Sequence, residues 1–239
     1  MKARVGMVTI GQAPRVDVVP EMADLMGPGV DIVERGALDG LTSPQIAALA
    51  PGEGDGVLVT RLADGTAVFL GKRAVTPRVQ AKIAELEGDG VDMIVLLCTG
   101  TFEGLLATRP LVEPDKVLLG VLRGVRFAGR LGVLTPSERH VSQTQARWRG
   151  CGFDAVVVAA SPYGASEPAA APRTCADAHG AVSVAGAVSA FRAGGVGLVL
   201  LDCMGFRRDA REHLRQALGV PVVVANLLVA RVVAEMVGA

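Results

Sequence analysis

The stretch Gly90-Val91-Asp92-Met93-Ile94-Val95-Leu96-Leu97-Cys98-Thr99-Gly100-Thr101-Phe102 has a counterpart in Gly195-Val196-Gly197-Leu198-Val199-Leu200-Leu201-Asp202-Cys203-Met204-Gly205-Phe206. Each reads as a continuous apolar strand, of the kind buried on both faces in a parallel sheet. Each stops at a cysteine followed by a glycine-bearing turn. Parallel α/β sheets carry their chemistry beyond the carboxyl ends of their strands. Two thiols placed this way, one per half of the chain, suit taking a proton from one face of a carbon and returning it to the other.

Outward from these two segments, β-rich runs alternate with helical patterns, the mark of an α/β fold with mostly parallel sheets. Strands are predicted over Val5–Ile10, Val30–Glu34, Met93–Leu97, Val117–Leu122, Leu131–Leu134, Ala155–Ala159, Leu198–Leu201 and Val220–Ala225. Helices are predicted over Arg15–Met26, Ser43–Leu49, Thr76–Glu87, Glu138–Arg149, His179–Ala193, Asp209–Leu218 and Leu227–Val237. Pro44 behind Thr42 and Ser43 is a helix-start signal. Asp64-Gly65 between Val57–Leu62 and Thr66–Leu70 signals a hairpin over residues 57–70. It reads as a solvated edge hairpin. The alternative is a flap whose Arg61, Lys72 and Arg73 bring positive charge to an anion.

The chain also repeats itself. Arg4-Val5-Gly6-Met7-Val8-Thr9-Ile10 resembles Arg130-Leu131-Gly132-Val133-Leu134-Thr135-Pro136. The order is strand then threonine loop, and later strand then cysteine loop, in both halves. This predicts two similar α/β domains related by a pseudo-twofold, with the active site in the cleft between them. A single Rossmann-like domain is the competing architecture.

Composition narrows the function. Half of the 239 residues are apolar, enough for a sizeable core. The 24 basic and 24 acidic residues cancel, so no basic excess points to nucleic acid. One Trp, one Tyr and six Phe leave little for base stacking. The first apolar run is too short for a signal peptide, and the apolar segment 181–201 carries Arg192 and several glycines, so it reads as a helix and a strand rather than a membrane span. A cytoplasmic location is expected. Cys98, Cys151, Cys175 and Cys203 include no CxxC pair, which argues for reduced thiols and against a metal site.

Several residues join the thiols as site candidates. Thr9, Gly11, Gln12 and Arg15 follow the first strand and lead into a helix. Backbone N–H groups there, with a bidentate Arg15, suit a carboxylate; the alternative is a plain turn with Arg15 on the surface. Thr135 and Pro136 occupy the matching place, and Ser137 reads as an N-cap. Thr99, Gly100 and Thr101 can bind a carboxylate and lower the Cys98 thiol pKa. Met204 and Gly205 follow Cys203, and the preceding Asp202 is positioned to orient or deprotonate it. Arg73 and Asn226 complete the set, Asn226 reading as a cap of the last helix. A lone cysteine is usually a small buried hydrophobe, and Cys151 and Cys175 read that way. His140, His179 and His213 read as surface or cap residues.

With these residues in hand, the chain resembles the AroM family. The resemblance rests on Thr9-Ile10-Gly11-Gln12 with Arg15, the hairpin ending in Lys72-Arg73, Leu201-Asp202-Cys203-Met204-Gly205-Phe206, and Asn226-Leu227-Leu228-Val229-Ala230-Arg231. More loosely it resembles the aspartate/glutamate/hydantoin racemase superfamily, through the two strand-end thiols and Gly132-Val133-Leu134-Thr135-Pro136. That resemblance implies two α/β domains with the last helix returning to the first, hence residues 1–122 plus 223–239 and residues 123–222. It implies chemistry without pyridoxal phosphate, metal or other cofactor, with Cys98 and Cys203 as the acid/base pair. Glutamate racemases carry Asn where this chain has Thr99, and Thr-His where it has Met204-Gly205, which argues against glutamate as substrate.

The expectation is a cofactor-independent racemase, epimerase or isomerase of a small carboxylate, amino-acid-like or hydroxy-acid-like. A single-thiol decarboxylase or cis–trans isomerase is the alternative within enzymes. A non-catalytic small-anion-binding protein is the alternative outside them. No nucleic-acid or membrane partner is expected, and a homo-oligomer is left open.

Overall fold

The computed structural model describes residues 2–163 and 184–238. Cys175, His179 and the predicted start of the His179–Ala193 helix lie outside the described residues. The chain divides into two compact units, Met1–Leu118 with Asn226–Ala239, and Leu119–Ala225.

The first unit holds β1 (Ala3–Thr9), α1 (Val19–Met26), β2 (Val30–Gly36), α2 (Ser43–Ala47), β3 (Val57–Arg61), β4 (Ala67–Gly71), α3 (Lys72–Gly88), β5 (Met93–Leu96) and β6 (Leu111–Val112). Helix α4 (Pro114–Gly124) begins in this unit and ends in the second. The second unit continues with β7 (Arg130–Thr135), α5 (Glu138–Gly150), β8 (Ala155–Ala159), α6 (Val184–Ala193), β9 (Val196–Leu201), α7 (Arg208–Leu218) and β10 (Val222–Val224). Most of α8 (Ala225–Val237) belongs to the first unit again.

The first sheet runs β2-β1-β5-β6 and the second β8-β7-β9-β10, every pair parallel. In each unit the first strand lies between the second and the cysteine-bearing third. The likeness extends to single hydrogen bonds past the strand ends. Val8 O accepts from Leu97 N at 2.8 Å, and Leu134 O from Asp202 N at 2.9 Å. Thr9 O accepts from Ala37 N at 2.9 Å, and Thr135 O from Ala160 N at 2.8 Å. The aligned glycines Gly6 and Gly132 serve one purpose: a Cβ there would stand 3.1 Å from Leu86 of α3 or 3.2 Å from Phe191 of α6. Without it, each helix packs close on the first strand of its sheet. All four residues of β5 and the last four of β9 are buried, as parallel strands covered on both faces require.

Three expectations change, and one strand, β6, is new. Val117–Leu122 is helix, part of α4, not strand. An unbroken apolar run has no alternation to distinguish the two, and here Leu118 and Leu122, four apart, are the buried pair. Helix α1 starts at Val19 rather than Arg15, which puts Pro20 in the first helical turn, where its missing N–H leaves no bond unmade. Helix α3 starts at Lys72, where β4 ends, and takes Pro77 into its interior. Strand β6 is two residues long and too short to carry a pattern.

The β3–β4 hairpin forms as an antiparallel pair, with Asp64-Gly65 at its turn and Gly65 at φ 86°. It is not simply a solvated edge. Leu58 and Leu70 belong to one core cluster with Ile10, Leu38, Leu96 and Phe102, and Thr60 and Ala67 are also buried. Among the described residues no helix is long and apolar enough to cross a membrane.

Candidate active site

In both sheets the strand order reverses between the first strand and the cysteine strand. Such a reversal leaves a crevice outside the carboxyl ends, where open α/β sheets bind ligands. In the first unit it is flanked by the loops after Thr9 and after Leu97. Thr9 is buried, Cys98 half-buried, Thr99 buried and Thr101 half-buried. The Gly100 N–H donates to Cys98 Sγ at 3.3 Å. A donor on sulfur favours the thiolate over the thiol.

Arg15 is buried rather than on the surface, and its charge is balanced within its own unit. Its Nε and Nη2 donate to the two Asp17 carboxylate oxygens at 2.8 and 2.9 Å, and Nη1 donates to Thr9 Oγ1 at 3.0 Å. Burial opposes ionisation of Asp17, but the Arg15 hydrogen bonds and charge outweigh it and hold the carboxyl below its usual value. Glu34 accepts from the Arg15 backbone N–H at 2.7 Å; burial dominates there and raises its pKa.

The hairpin is bound to the same loop. A Cβ on Gly11 would lie 2.3 Å from Thr60 Oγ1 and 2.5 Å from Arg61 O, so only glycine permits this approach. Gln12 Oε1 accepts from Ala63 N at 2.8 Å. The Gly11 and Gln12 amides, anticipated as carboxylate donors, are given to Thr9 Oγ1 and Arg61 O. Arg73 is exposed in the first turn of α3 and donates to Gly54 O and Asp55 Oδ1. Asn226 is fully buried in the first turn of α8.

In the second unit Thr135 and Pro136 are buried at the end of β7, with Thr135 Oγ1 and Thr144 Oγ1 3.1 Å apart. Ser137 stands at the N-cap position of α5, but its side chain makes no capping bond. Its Oγ lies 2.8 Å from Nδ1 of His140, which is buried and not a surface residue. Cys203 is 8% exposed, and Met204 and Gly205 are buried beside it. Asp202 sends Oδ2 to α5, accepting from Trp148 Nε1 at 3.0 Å and Arg147 at 3.3 Å.

The residue that sequence reasoning missed is Tyr163. Its Oη lies 3.9 Å from Cys203 Sγ. It follows β8, so the strand-end rule that found the cysteines also reaches it, and it is the chain's one tyrosine. Among the described residues no three His, Cys, Asp or Glu side chains are grouped to hold a metal ion.

The model of the AroM protein family matches residues 5–237. The chain belongs to the AroM family. No curated protein sequence matches it. Solved structures do match the fold of this AroM-family chain. Allantoin racemase from Klebsiella pneumoniae is 15% identical, with 99% of this chain and 88% of that one covered at a TM-score of 0.61. Unliganded arylmalonate decarboxylase is 18% identical, with 99% and 93% covered at 0.62. Maleate isomerase Iso from Pseudomonas putida S16 is 12% identical, with 100% and 94% covered at 0.62. The expected two-part α/β fold of the racemase type is therefore the fold this AroM-family chain has.

Proposed function

We propose that this AroM-family chain is a cofactor-independent racemase, epimerase or isomerase of a small carboxylate that works through Cys98 and Cys203. One observation carries the reading. Each thiol stands one residue past an amide (Leu97, Asp202) that bonds to the residue before a strand-end threonine (Thr9, Thr135). The same position is thus filled by a sulfur twice. The names of the structural neighbours, an allantoin racemase and a maleate isomerase among them, support the same class.

In this reaction one cysteine, as thiolate, takes the proton from the carbon next to the carboxylate. The C–H electron pair moves into the carboxylate as an enediolate. The other cysteine, as thiol, then delivers a proton to the opposite face, and nothing is oxidised or reduced. The Gly100 N–H on Sγ suits Cys98 to the thiolate role. Because such a carbon acid is weak, donors aimed at the enediolate oxygens lower the barrier. Thr99, Thr101 and Thr135 fill that role.

The test is proton NMR in D₂O with single enantiomers of small amino, hydroxy and ureido carboxylates. Wild type interconverts a substrate with deuterium entering the α position. Cys98→Ala and Cys203→Ala each stop interconversion, and either can leave exchange from one face. Full interconversion by either single variant overturns the two-thiol reading.

The backbone N–H on Cys98 and the phenol near Cys203 also suit a second reading. There a single thiol protonates an enediolate after loss of CO₂, or a thiolate adds to a double bond, the new single bond rotates, and the sulfur leaves. Release of CO₂, or isomerisation of an unsaturated diacid without α-exchange, selects it.

A further inference from the structure

We infer that Tyr163 is a positioning residue that sets the protonation of Cys203 through its phenol O–H. The inference deepens the proposed thiol chemistry and rests on it for its purpose, though not for its test.

Three features place the phenol on the sulfur. The first is the distance, 3.9 Å from Oη to Sγ, a hydrogen-bonding separation for sulfur. The second is Gly205, two residues past the cysteine. A Cβ built there would lie 2.6 Å from Tyr163 Cε1, 2.9 Å from Cζ and 2.9 Å from Oη, so the ring occupies the space a side chain at 205 would need. The third is the turn that presents the ring: Tyr163 N donates to Ser161 Oγ at 3.2 Å, directly after the Ala160 amide is tied to Thr135 O. Tyr163 thus reaches Cys203 from the loop after β8, across the carboxyl end of β7.

The other half of the repeat offers a comparison. At Cys98 a backbone N–H donates to sulfur. At Cys203 a phenol lies at hydrogen-bonding distance, a group that both donates and accepts. An O–H that donates to a thiolate stabilises it, and one that accepts from a thiol does not obstruct the protonated form. A group that must alternate between base and acid needs a partner able to follow it. Among the described residues, the charged groups on the surrounding elements are paired or exposed. Asp202 holds Trp148 and Arg147, His140 faces Ser137, and Arg207 and Arg208 are exposed at the start of α7.

The experiment is the pH dependence of iodoacetamide alkylation at Cys203 in the full chain, with each cysteine followed by peptide mass. Tyr163→Phe keeps the ring on Gly205 and removes the donor. A charge-assisted hydrogen bond is worth enough to move a pKa by roughly one unit, so the Cys203 midpoint is expected to rise by about that much. The Cys98 midpoint stays where it was. Gly205→Ala keeps the phenol but displaces the ring, and raises the Cys203 midpoint in the same direction. An unchanged Cys203 midpoint in Tyr163→Phe overturns the inference, as does an equal shift at Cys98, which would report a general structural change. Because alkylation needs no substrate, these results stand apart from any failure of the racemase reading.

Discussion

Asp202 accepts a hydrogen bond from the indole nitrogen of Trp148 at 3.0 Å. Although it precedes Cys203 in sequence, this carboxylate oxygen is turned to α5, where Arg147 also reaches it. It therefore ties the end of β9 to the helix that follows β7. Asp202→Ala leaves a fully buried indole N–H without that acceptor, which costs about 2–3 kcal/mol. Asp202→Asn keeps an acceptor oxygen and costs less. Urea unfolding followed by the emission of Trp148, the one tryptophan, measures both; equal midpoints for wild type and Asp202→Ala would refute the assignment.

The hairpin offers a second prediction. Gly11→Ala drives a methyl into Thr60 Oγ1 and into the backbone oxygen of Arg61, and backbone does not swing aside. Overpacking of this kind costs roughly 1–3 kcal/mol. The melting temperature falls, and hydrogen exchange speeds up at Leu62 and Ala63. Unchanged exchange there means that the hairpin does not depend on this contact.

A third concerns acid. The Asp17 carboxyl is held in the fold below the ordinary aspartate value. The unfolded chain therefore takes up this proton first. The stability Asp17 contributes is complete above its ordinary value and is lost as pH falls through the lowered one. Glu34 has the opposite sign: its raised pKa favours the fold at low pH, and that contribution is lost as pH rises through the raised value. Asp17→Asn removes the carboxylate that accepts two hydrogen bonds from the buried Arg15 guanidinium and costs about 3 kcal/mol at neutral pH. The gap to wild type narrows as pH drops below 4. A gap independent of pH rejects the ion pair as its source.

A fourth concerns turnover. General acid or base groups contribute typically about 10²–10⁴-fold, so Cys98→Ala and Cys203→Ala each lower turnover of an accepted carboxylate by at least about 10²-fold. Cys151→Ala changes it by less than about twofold. A Cys151 variant as impaired as the other two would show that thiol loss acts through stability.

Much of the fold was legible because buried parallel strands announce themselves as short apolar runs closed by glycine turns. The repeat of Arg4–Ile10 in Arg130–Pro136 paired strands that prove equivalent in sheet order and in hydrogen bonding. Val117–Leu122 was misread because a run with no alternation looks alike as strand or helix until its neighbours bury Leu118 and Leu122. For the candidate site, strand-end position singles out the cysteines and threonines as candidates. It could not say that Arg15 meets Asp17, that Ser137 meets His140, or that Asp202 meets Trp148. Each of those depends on which way a side chain points.

The sequence alone determined that two like α/β halves each end a buried strand in a cysteine, because period and composition are local properties of the chain. Only the tertiary structure decided the partners of those cysteines. Gly100 is two residues from Cys98, but Tyr163 is forty from Cys203, and a contact across that separation exists only once β8 and β9 are held in one sheet with β7 between them.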